Sequence, residues 1–567
     1  MPVITFSPGP ITVKVAPGTT ILEAARLAHL VIESPCNGIG TCGKCRVQID
    51  QVDAHLLTIH GRHHSPVAET AQGWVLACQA SIQGDISVQL PTTTSQALNI
   101  LQDGHTLDIP ITPAVGKRYD DMSGETVVIV AGREITREYG DSTASLYGVV
   151  VDIGTTTLVV ALIDLQTGQE LAAHSALNPQ SLHAQDVLSR ISLAATTEGL
   201  RLLHGLVIDE INHGIGALCT RTGIPRESIY EVVFSGNTSM LHLATGTDPS
   251  TLGKYPYRST IVGDEYRDAA ATGLAIAPGG VVYLPPIISG FVGADITAGL
   301  LASQLHRATD TVLFVDIGTN GEMALAHGGR LIATSTAAGP AFEGMNITHG
   351  MRAGHGAIDT FVIREDGTVS LTTLGQAPAQ GICGSGLVDI VGALVAHGAI
   401  TSPGRFASPD DPALSPDVRA RLFQREGKTV FDLADGVWLT QKDIRQVQLA
   451  KGAIRAGIDA LLRHVGIAAA VVDRVLIAGS FGYHLRAQSL LDLGLLPPEF
   501  AGKVTFIGNT SKTGGQALLI NQPSRAEMQQ VVGAVESVEL ADAPEFQQHF
   551  VRCLGFEEGY RRGWVAA

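Results

Sequence analysis

Long hydrophobic runs are missing from this chain of 567 residues, although hydrophobic residues make up 45% of it. No stretch reaches the roughly 20 consecutive apolar residues of a membrane-spanning helix, so the sequence reads as soluble and globular, with no membrane partner. Positive charge is also scarce. With 38 Lys and Arg against 54 Asp and Glu, the formal charge is -16, which argues against a nucleic-acid partner, whose phosphates need a basic surface. Cysteine is sparse and odd in number, seven in all. No secretory signal is read ahead of Met1-Pro2-Val3, so a disulfide framework is not expected and a reducing, cytoplasmic setting is.

Four of the cysteines are patterned. Cys36, Cys42, Cys45 and Cys78 stand as C-x5-C-x2-C-x32-C. A 2Fe-2S cluster needs four thiolates around two irons, and three can come from one loop that curls over it. Gly38, Gly40 and Gly43 let the loop 36–45 curl and turn backbone N–H groups toward the sulfurs. Buried small hydrophobes or a zinc site are the alternatives. Zinc frameworks usually pair two short C-x-x-C units, whereas Cys78 stands alone. The four histidines His55, His60, His63 and His64 sit among loop-forming residues without a carboxylate pattern and read as a solvated loop.

Around the cysteines, Val3 to Val15 alternates about a Pro8-Gly9-Pro10 turn, as a hairpin would. Ile21, Leu22, Ala25 and Leu27 then recur at helical spacing. Strand, strand, helix, cluster loop, strand is a β-grasp order, and residues 1–90 resemble the 2Fe-2S ferredoxins of plant and adrenodoxin type. The five-residue first gap lies nearer the adrenodoxin pattern.

Length allows three or four domains. Pro91-Thr92-Thr93-Thr94-Ser95-Gln96 breaks the periodic pattern, so residues 91–146 are expected as a linker and short middle segment with one hairpin, a hinge or a passive spacer. Beyond it the chain echoes itself. Val151-Asp152-Ile153-Gly154-Thr155-Thr156-Thr157 returns as Val315-Asp316-Ile317-Gly318-Thr319-Asn320-Gly321. Each copy lies between apolar β-branched runs, hence in a turn between two strands. Gly154 and Gly318 let backbone approach a phosphate, Thr155, Thr156, Thr319, Asn320 and Gly321 offer donors, and Asp152 and Asp316 can hold a divalent cation such as Mg2+. One D-x-G-T is weak, since turns favour Asp and Gly anyway. Two in matching context are stronger.

Arg474 to Gly482 reads as a strand running into the glycine turn Gly479-Ser480-Phe481-Gly482, open enough to back an adenosine. The two hairpins and this turn together resemble the ATP site of the acetate and sugar kinase, Hsc70 and actin superfamily. That resemblance implies a duplicated actin-like, ribonuclease H-like domain over residues 147–567, with halves near 147–311 and 312–567. It assigns the first hairpin to the terminal phosphates, the second to the inner phosphates, and Gly479, Ser480 and Gly482 to the adenosine. The paired segments 235–239 and 507–511, Ser-Gly-Asn-Thr-Ser and Ile-Gly-Asn-Thr-Ser, are read as strand ends that open helices, with a packing role. Gly381 to Gly386 suits either a helix N-terminus for an anion or a close helix contact, with Cys383 a buried small residue.

The whole is an α/β multidomain chain: a β-grasp ferredoxin, a linker and an actin-like ATPase domain. This order, with Glu138-Tyr139-Gly140-Asp141 and the motifs at 151–157, 316–322 and 381–386, resembles the reductive activators of corrinoid proteins. The resemblance implies a homodimeric, ATP-dependent metalloreductase that passes one electron from its cluster to Co(II) in a corrinoid protein, restoring Co(I) for methyl transfer. One departure shows: the region between ferredoxin and ATPase looks shorter than the middle domain some members have. Two rivals share the parts, an ATP-driven electron donor to another low-potential metalloenzyme and a redox-regulated small-molecule kinase.

Overall fold

The computed structural model describes residues 1–7, 11–28, 30, 32, 45–60, 73–90, 109–479, 485–540 and 545–556. It divides into two compact units, residues 1–97 with the short segment 179–185, and residues 98–178 with 186–567. Among the described residues no helix is long and apolar enough to cross a membrane.

The first unit is a five-stranded sheet in the order Ile11–Lys14, Val3–Ser7, Ile86–Gln89, Arg46–Ile49, Trp74–Leu76. Val3–Ser7 pairs antiparallel with its hairpin partner and parallel with the last strand, the β-grasp arrangement. The helix Ile21–Leu27 starts where its sequence says it should. Thr20 Oγ1 accepts from the Glu23 amide at 3.2 Å while the Glu23 carboxylate accepts from the Thr20 amide at 2.9 Å, a reciprocal cap that pairs two otherwise orphaned N–H groups. Ile4, Phe6, Ile21, Val47, Ile82 and Val88 close the core beneath it.

In the second unit two sheets repeat one plan. The first runs Glu170–Leu177, Thr157–Asp164, Tyr147–Ile153, Ile229–Gly236, Val281–Leu284, with Glu265–Asp268 at its edge. Its first three strands form an antiparallel meander, and the next two add in parallel. The second sheet holds the meander Val312–Ile317, Gly321–His327, Arg330–Thr336, with Arg474–Ala478 and Val504–Gly508 added in parallel. The central strands are buried on both faces, which is why Val149-Val150-Val151 and Val312-Leu313-Phe314-Val315 read as unbroken apolar runs and do not alternate.

The helices Ala294–Ala302 and Thr510–Ile520 pack tightly: a Cβ on Gly514 would stand 1.9 Å from the Ala298 carbonyl oxygen. Long helices Thr197–Thr222 and Gln441–Val465 each stop at a glycine in the left-handed region, Gly223 at φ 74° and Gly466 at φ 77°.

The segment 91–146, expected as a linker and short middle segment with one hairpin, holds a three-stranded sheet in place of the hairpin. Val115–Asp120, Glu125–Val130 and Arg133–Tyr139 make a three-stranded antiparallel sheet. Val115, Val128 and Val130 from one face join the core with Val150, Ala161 and Ile163. Thr112 exchanges backbone hydrogen bonds with Ile520 and Gln522, both at 2.8 Å, and the Tyr230 hydroxyl donates to Glu138 at 2.6 Å. From residue 109 onward this segment is therefore tied into the second unit. Three valines on one face are too few to stand out as a core in sequence.

Candidate functional site

The two meanders present their first turns to one another. Tyr147–Ile153 ends at the Gly154 to Thr156 turn and Val312–Ile317 at the Gly318 to Asn320 turn, as the echo implied. Across them Thr156 Oγ1 and Thr319 Oγ1 stand 3.3 Å apart, one hydroxyl from each repeat. The first turn is geometrically obliged to be glycine, since a Cβ on Gly154 would lie 2.5 Å from the Thr157 carbonyl oxygen, whereas one on Gly318 would meet the Asn320 carbonyl oxygen at an ordinary 3.5 Å. Gly479 sits at φ 118°, and a Cβ there would meet the Ile317 carbonyl at 2.5 Å and Asp316 Oδ1 at 3.1 Å.

A cavity of about 180 Å3 opens between the turns. Of the residues expected to bind nucleotide, Asp152, Gly154, Thr155, Thr156, Asp316, Gly318, Thr319, Asn320 and Gly479 line it. Gly321 lies one residue on, as the first residue of the strand Gly321–His327, between Asn320 and Glu322. Ser480 and Gly482 fall outside the described residues.

The cavity also collects residues whose role the sequence reading missed. Asp295 from the first turn of Ala294–Ala302, Glu322 beside the second turn, and Glu343 after the second meander all face it. Asn509 Nδ2 and Ser511 Oγ each donate to Asp152 at 2.7 Å, one to each carboxylate oxygen. Asn237 Nδ2 donates to Thr155 Oγ1 at 3.2 Å. Asn237 and Asn509 cap the helices that follow them, each side chain accepting from the third amide on. The repeated Gly-Asn-Thr-Ser was thus the available signal. It does open helices, and it also carries the groups that hold the first Asp and Thr.

Behind the first turn Arg190 is buried, and its Nη2 donates to the Thr155 carbonyl at 2.5 Å. Burial lowers its pKa to about 9. Asn178 donates to the Gly154 carbonyl at 2.9 Å. At Gly384 the close packing contact is present. The residue lines the cavity at the start of Gly384–Ala396, and a Cβ on it would lie 1.8 Å from the Phe342 carbonyl. Cys383 is 1% exposed, a buried thiol whose pKa burial raises.

The electrostatics of the cavity ask for a cation. Desolvation, then the charge of Asp316, pushes Asp295 up to about 8. Desolvation, then Asp152, pushes Asp316 to about 7. Glu322 is raised by burial and then by Asp295, and one of its oxygens is buried without a hydrogen bond. Asp152 is raised less freely, because Ser511, Asn509 and Lys512 favour its charged form. Four carboxylates this close cannot all ionise in a cleft unless positive charge joins them. An all-oxygen donor set of this kind fits a hard divalent cation. Glu343, also raised by desolvation, is held by hydrogen bonds from Thr156 and Thr319, and its Oε2 is buried without a partner.

In the first unit the thiols of Cys45 and Cys78 lie 3.3 Å apart, with Cys45 only 1% exposed. That is well beyond the about 2.05 Å of a disulfide. It is near the separation of about 3.8 Å that two thiolates take on one metal ion with bonds of about 2.3 Å. The pair fits two ligands of one iron. Cys36, Cys42, His63 and His64 lie outside the described residues, and His55 and His60 are exposed.

Comparisons with known proteins agree with this division. Residues 4–83 match the 2Fe-2S iron-sulfur cluster binding domain. Residues 147–308 match the RACo middle region, and residues 310–560 the C-terminal domain of RACo, the ASKHA domain. The middle region is thus the stretch read from sequence as the first ATPase half, not the short segment that precedes it. The corrinoid activation enzyme RamQ of Eubacterium limosum is 29% identical over 95% of this chain and 96% of its own length. The [Co(II) methylated amine-specific corrinoid protein] reductase of Methanosarcina barkeri is 26% identical, over 66% and 70%. A solved reductive activator for corrinoid,iron-sulfur protein superposes with a TM-score of 0.73 at 29% identity, covering 98% of each chain. With these three segments in succession from residue 4 to residue 560, the chain is similar over nearly its whole length to reductive activators of corrinoid proteins.

Proposed function

We propose that the chain is an ATP-dependent reductive activator of corrinoid proteins, a metalloreductase that gives one electron to a Co(II) corrinoid and restores Co(I). The observation that carries it is the meeting of Asp152 and Asp316 in one hydroxyl-lined cavity, on the same chain as the Cys45 and Cys78 thiols. The names of the relatives supply the corrinoid substrate.

The chain's own residues have three tasks. Cys36, Cys42, Cys45 and Cys78 hold the cluster, which when bound supplies a one-electron donor near about -400 mV. Gly154, Thr155 and Thr156 receive the terminal phosphates, Gly318, Thr319, Asn320 and Gly321 the inner ones, and Gly479, Ser480 and Gly482 the adenosine. Asp152 and Asp316, with Asp295 and Glu322, hold Mg2+. Glu343, fixed by the two threonines with one oxygen left over, faces the position of an attacking water.

Co(I) is a stronger reductant than such a donor, so the transfer runs uphill, and each 59 mV of gap is about a factor of ten. ATP offsets the gap only by favouring a conformation that changes the corrinoid's surroundings or traps Co(I). The cavity can couple to conformation because its walls come from two repeats. A homodimer, an upstream electron donor and a cytoplasmic setting belong to the same reading.

The test is anaerobic. Reduced protein is mixed with a Co(II) corrinoid protein from the same cell, and Co(I) is followed in the visible spectrum with and without MgATP. ATP-dependent Co(I) is the expected result. ATP turnover with an intact cluster but no Co(I) would move the acceptor elsewhere, and a phosphorylated small molecule would identify a kinase.

A further inference from the structure

Behind the first meander, away from the nucleotide cavity, the strand Glu170–Leu177 faces the helix Thr197–Thr222. His174 comes from the strand; Glu210 and His213, three apart and so on one helix face, come from the helix. One ligand atom from each lies within 4.8 Å of the others. His174 Nε2 is buried and makes no hydrogen bond. Its nearest charged neighbour, Glu210 Oε1, stands at 3.9 Å, too far to be one. The His174 and His213 rings are 5.8 Å apart at 72°, edge to face, so they are not stacked on each other. Room for the His174 ring depends on Gly214, where a Cβ would come within 3.1 Å of His174 Cδ2.

A buried imidazole nitrogen without a partner is left desolvated and uncompensated. One ion would satisfy it. Bonds of about 2.0–2.1 Å to a tetrahedral ion place ligand atoms about 3.4 Å apart, so the 3.9 Å gap closes with a small side-chain adjustment. The set differs in kind from Asp459, His549 and Cys553, the other such group among the described residues. There the carboxylate is already taken, by His549 Nε2 at 2.8 Å and by Arg455 Nε at 3.2 Å.

We propose that His174, Glu210 and His213 form a binding site for a divalent transition metal of the Zn2+ class, with a fourth position open to water. Two imidazoles and one carboxylate suit zinc and its borderline neighbours and suit Mg2+ poorly. The site clamps the strand to the helix. That strand runs on to Leu177, which pairs with Thr157, and to Asn178, which holds the Gly154 carbonyl. The ion would therefore stiffen the wall behind the first phosphate turn.

The test uses the full-length protein with its iron-sulfur cluster intact by visible spectrum, washed with chelator and held in excess Mg2+ to fill the nucleotide site. Equilibrium dialysis against ZnCl2 with metal analysis is expected to find one zinc per chain, held at micromolar free zinc or tighter. His174→Ala, Glu210→Gln and His213→Ala are each expected to weaken it by about 10-fold or more. Zinc soaked into crystals should give anomalous density between the three side chains. His213 is exposed, so His213→Ala decides the matter if His174→Ala does not fold. Zinc held equally by the variants, no zinc above background, or density elsewhere would each overturn the proposal.

Discussion

The Ser511 hydroxyl donates a 2.7 Å hydrogen bond to Asp152, a residue 359 positions earlier in the chain. Ser511 lies in the first turn of the helix after the strand Val504–Gly508 of the second sheet, and Asp152 is the penultimate residue of the strand Tyr147–Ile153 of the first. The contact, with its neighbour from Asn509, joins the two repeats through the carboxylate that faces the cavity.

Removing that hydroxyl leaves a desolvated carboxylate with one donor fewer. Ser511→Ala is expected to lower stability by about 1–3 kcal/mol, as for a hydrogen bond to a charged group, and to weaken MgATP. Chemical denaturation and calorimetric titration measure the two. Unchanged values in both would mean that the bond does not hold Asp152 in solution.

The buried acids give a pH dependence of definite sign. Asp295 and Asp316 titrate at about 8 and about 7 in the folded protein against an ordinary 3.8. The folded state therefore binds more protons than the unfolded one across that range. Their contribution is full below pH 3.8 and is lost as pH rises through about 7 to 8. Cation-free protein should lose thermal stability between pH 6 and 9, and Mg2+ should restore it most at the alkaline end while releasing protons. Melting curves with EDTA or Mg2+ across this range check both; a stability that rises with pH in EDTA contradicts the cluster.

Glu343→Gln keeps the size of the side chain and can still bond the two threonines. It removes the carboxylate charge. MgATP binding is expected to stay within a few-fold while hydrolysis falls by about 100-fold or more, the usual weight of a positioned base. Unimpaired hydrolysis would return Glu343 to a purely structural role.

Replacing Cys78 tests the two units separately. Cys78→Ser is expected to bleach the visible iron-sulfur spectrum and abolish Co(I) formation, leaving ATP binding by the second unit intact. Cys42→Ala should behave the same way. Reduction that persists in either variant would remove the cluster from the electron route.

Local chemistry made much of this legible. The Cys36, Cys42 and Cys45 spacing, the helical spacing of Ile21, Leu22, Ala25 and Leu27 and the two D-x-G-T turns are each set by residues close in sequence. Asp295 and Glu343 were not legible, because a lone acid in an apolar or loop segment carries no pattern. Only the fold brings Asp295 beside Asp316. Asn509 and Ser511 were seen as a repeat, but their partner Asp152 is a long-range contact. The sheet after residue 109 was harder to read because its buried Val115, Val128 and Val130 complete a core that belongs mostly to other strands.

The reach from Asp152 to Ser511 also bears on how the protein comes into being. Synthesis runs from the N-terminus, so the thiol-bearing unit and the first phosphate turn leave the ribosome long before residue 511 of 567 exists. A growing chain lacks the donors that set Asp152 until residues 509–511 have been made. A chain cut between the two repeats would lack Asn509 and Ser511 and leave the Asp152 carboxylate without either donor.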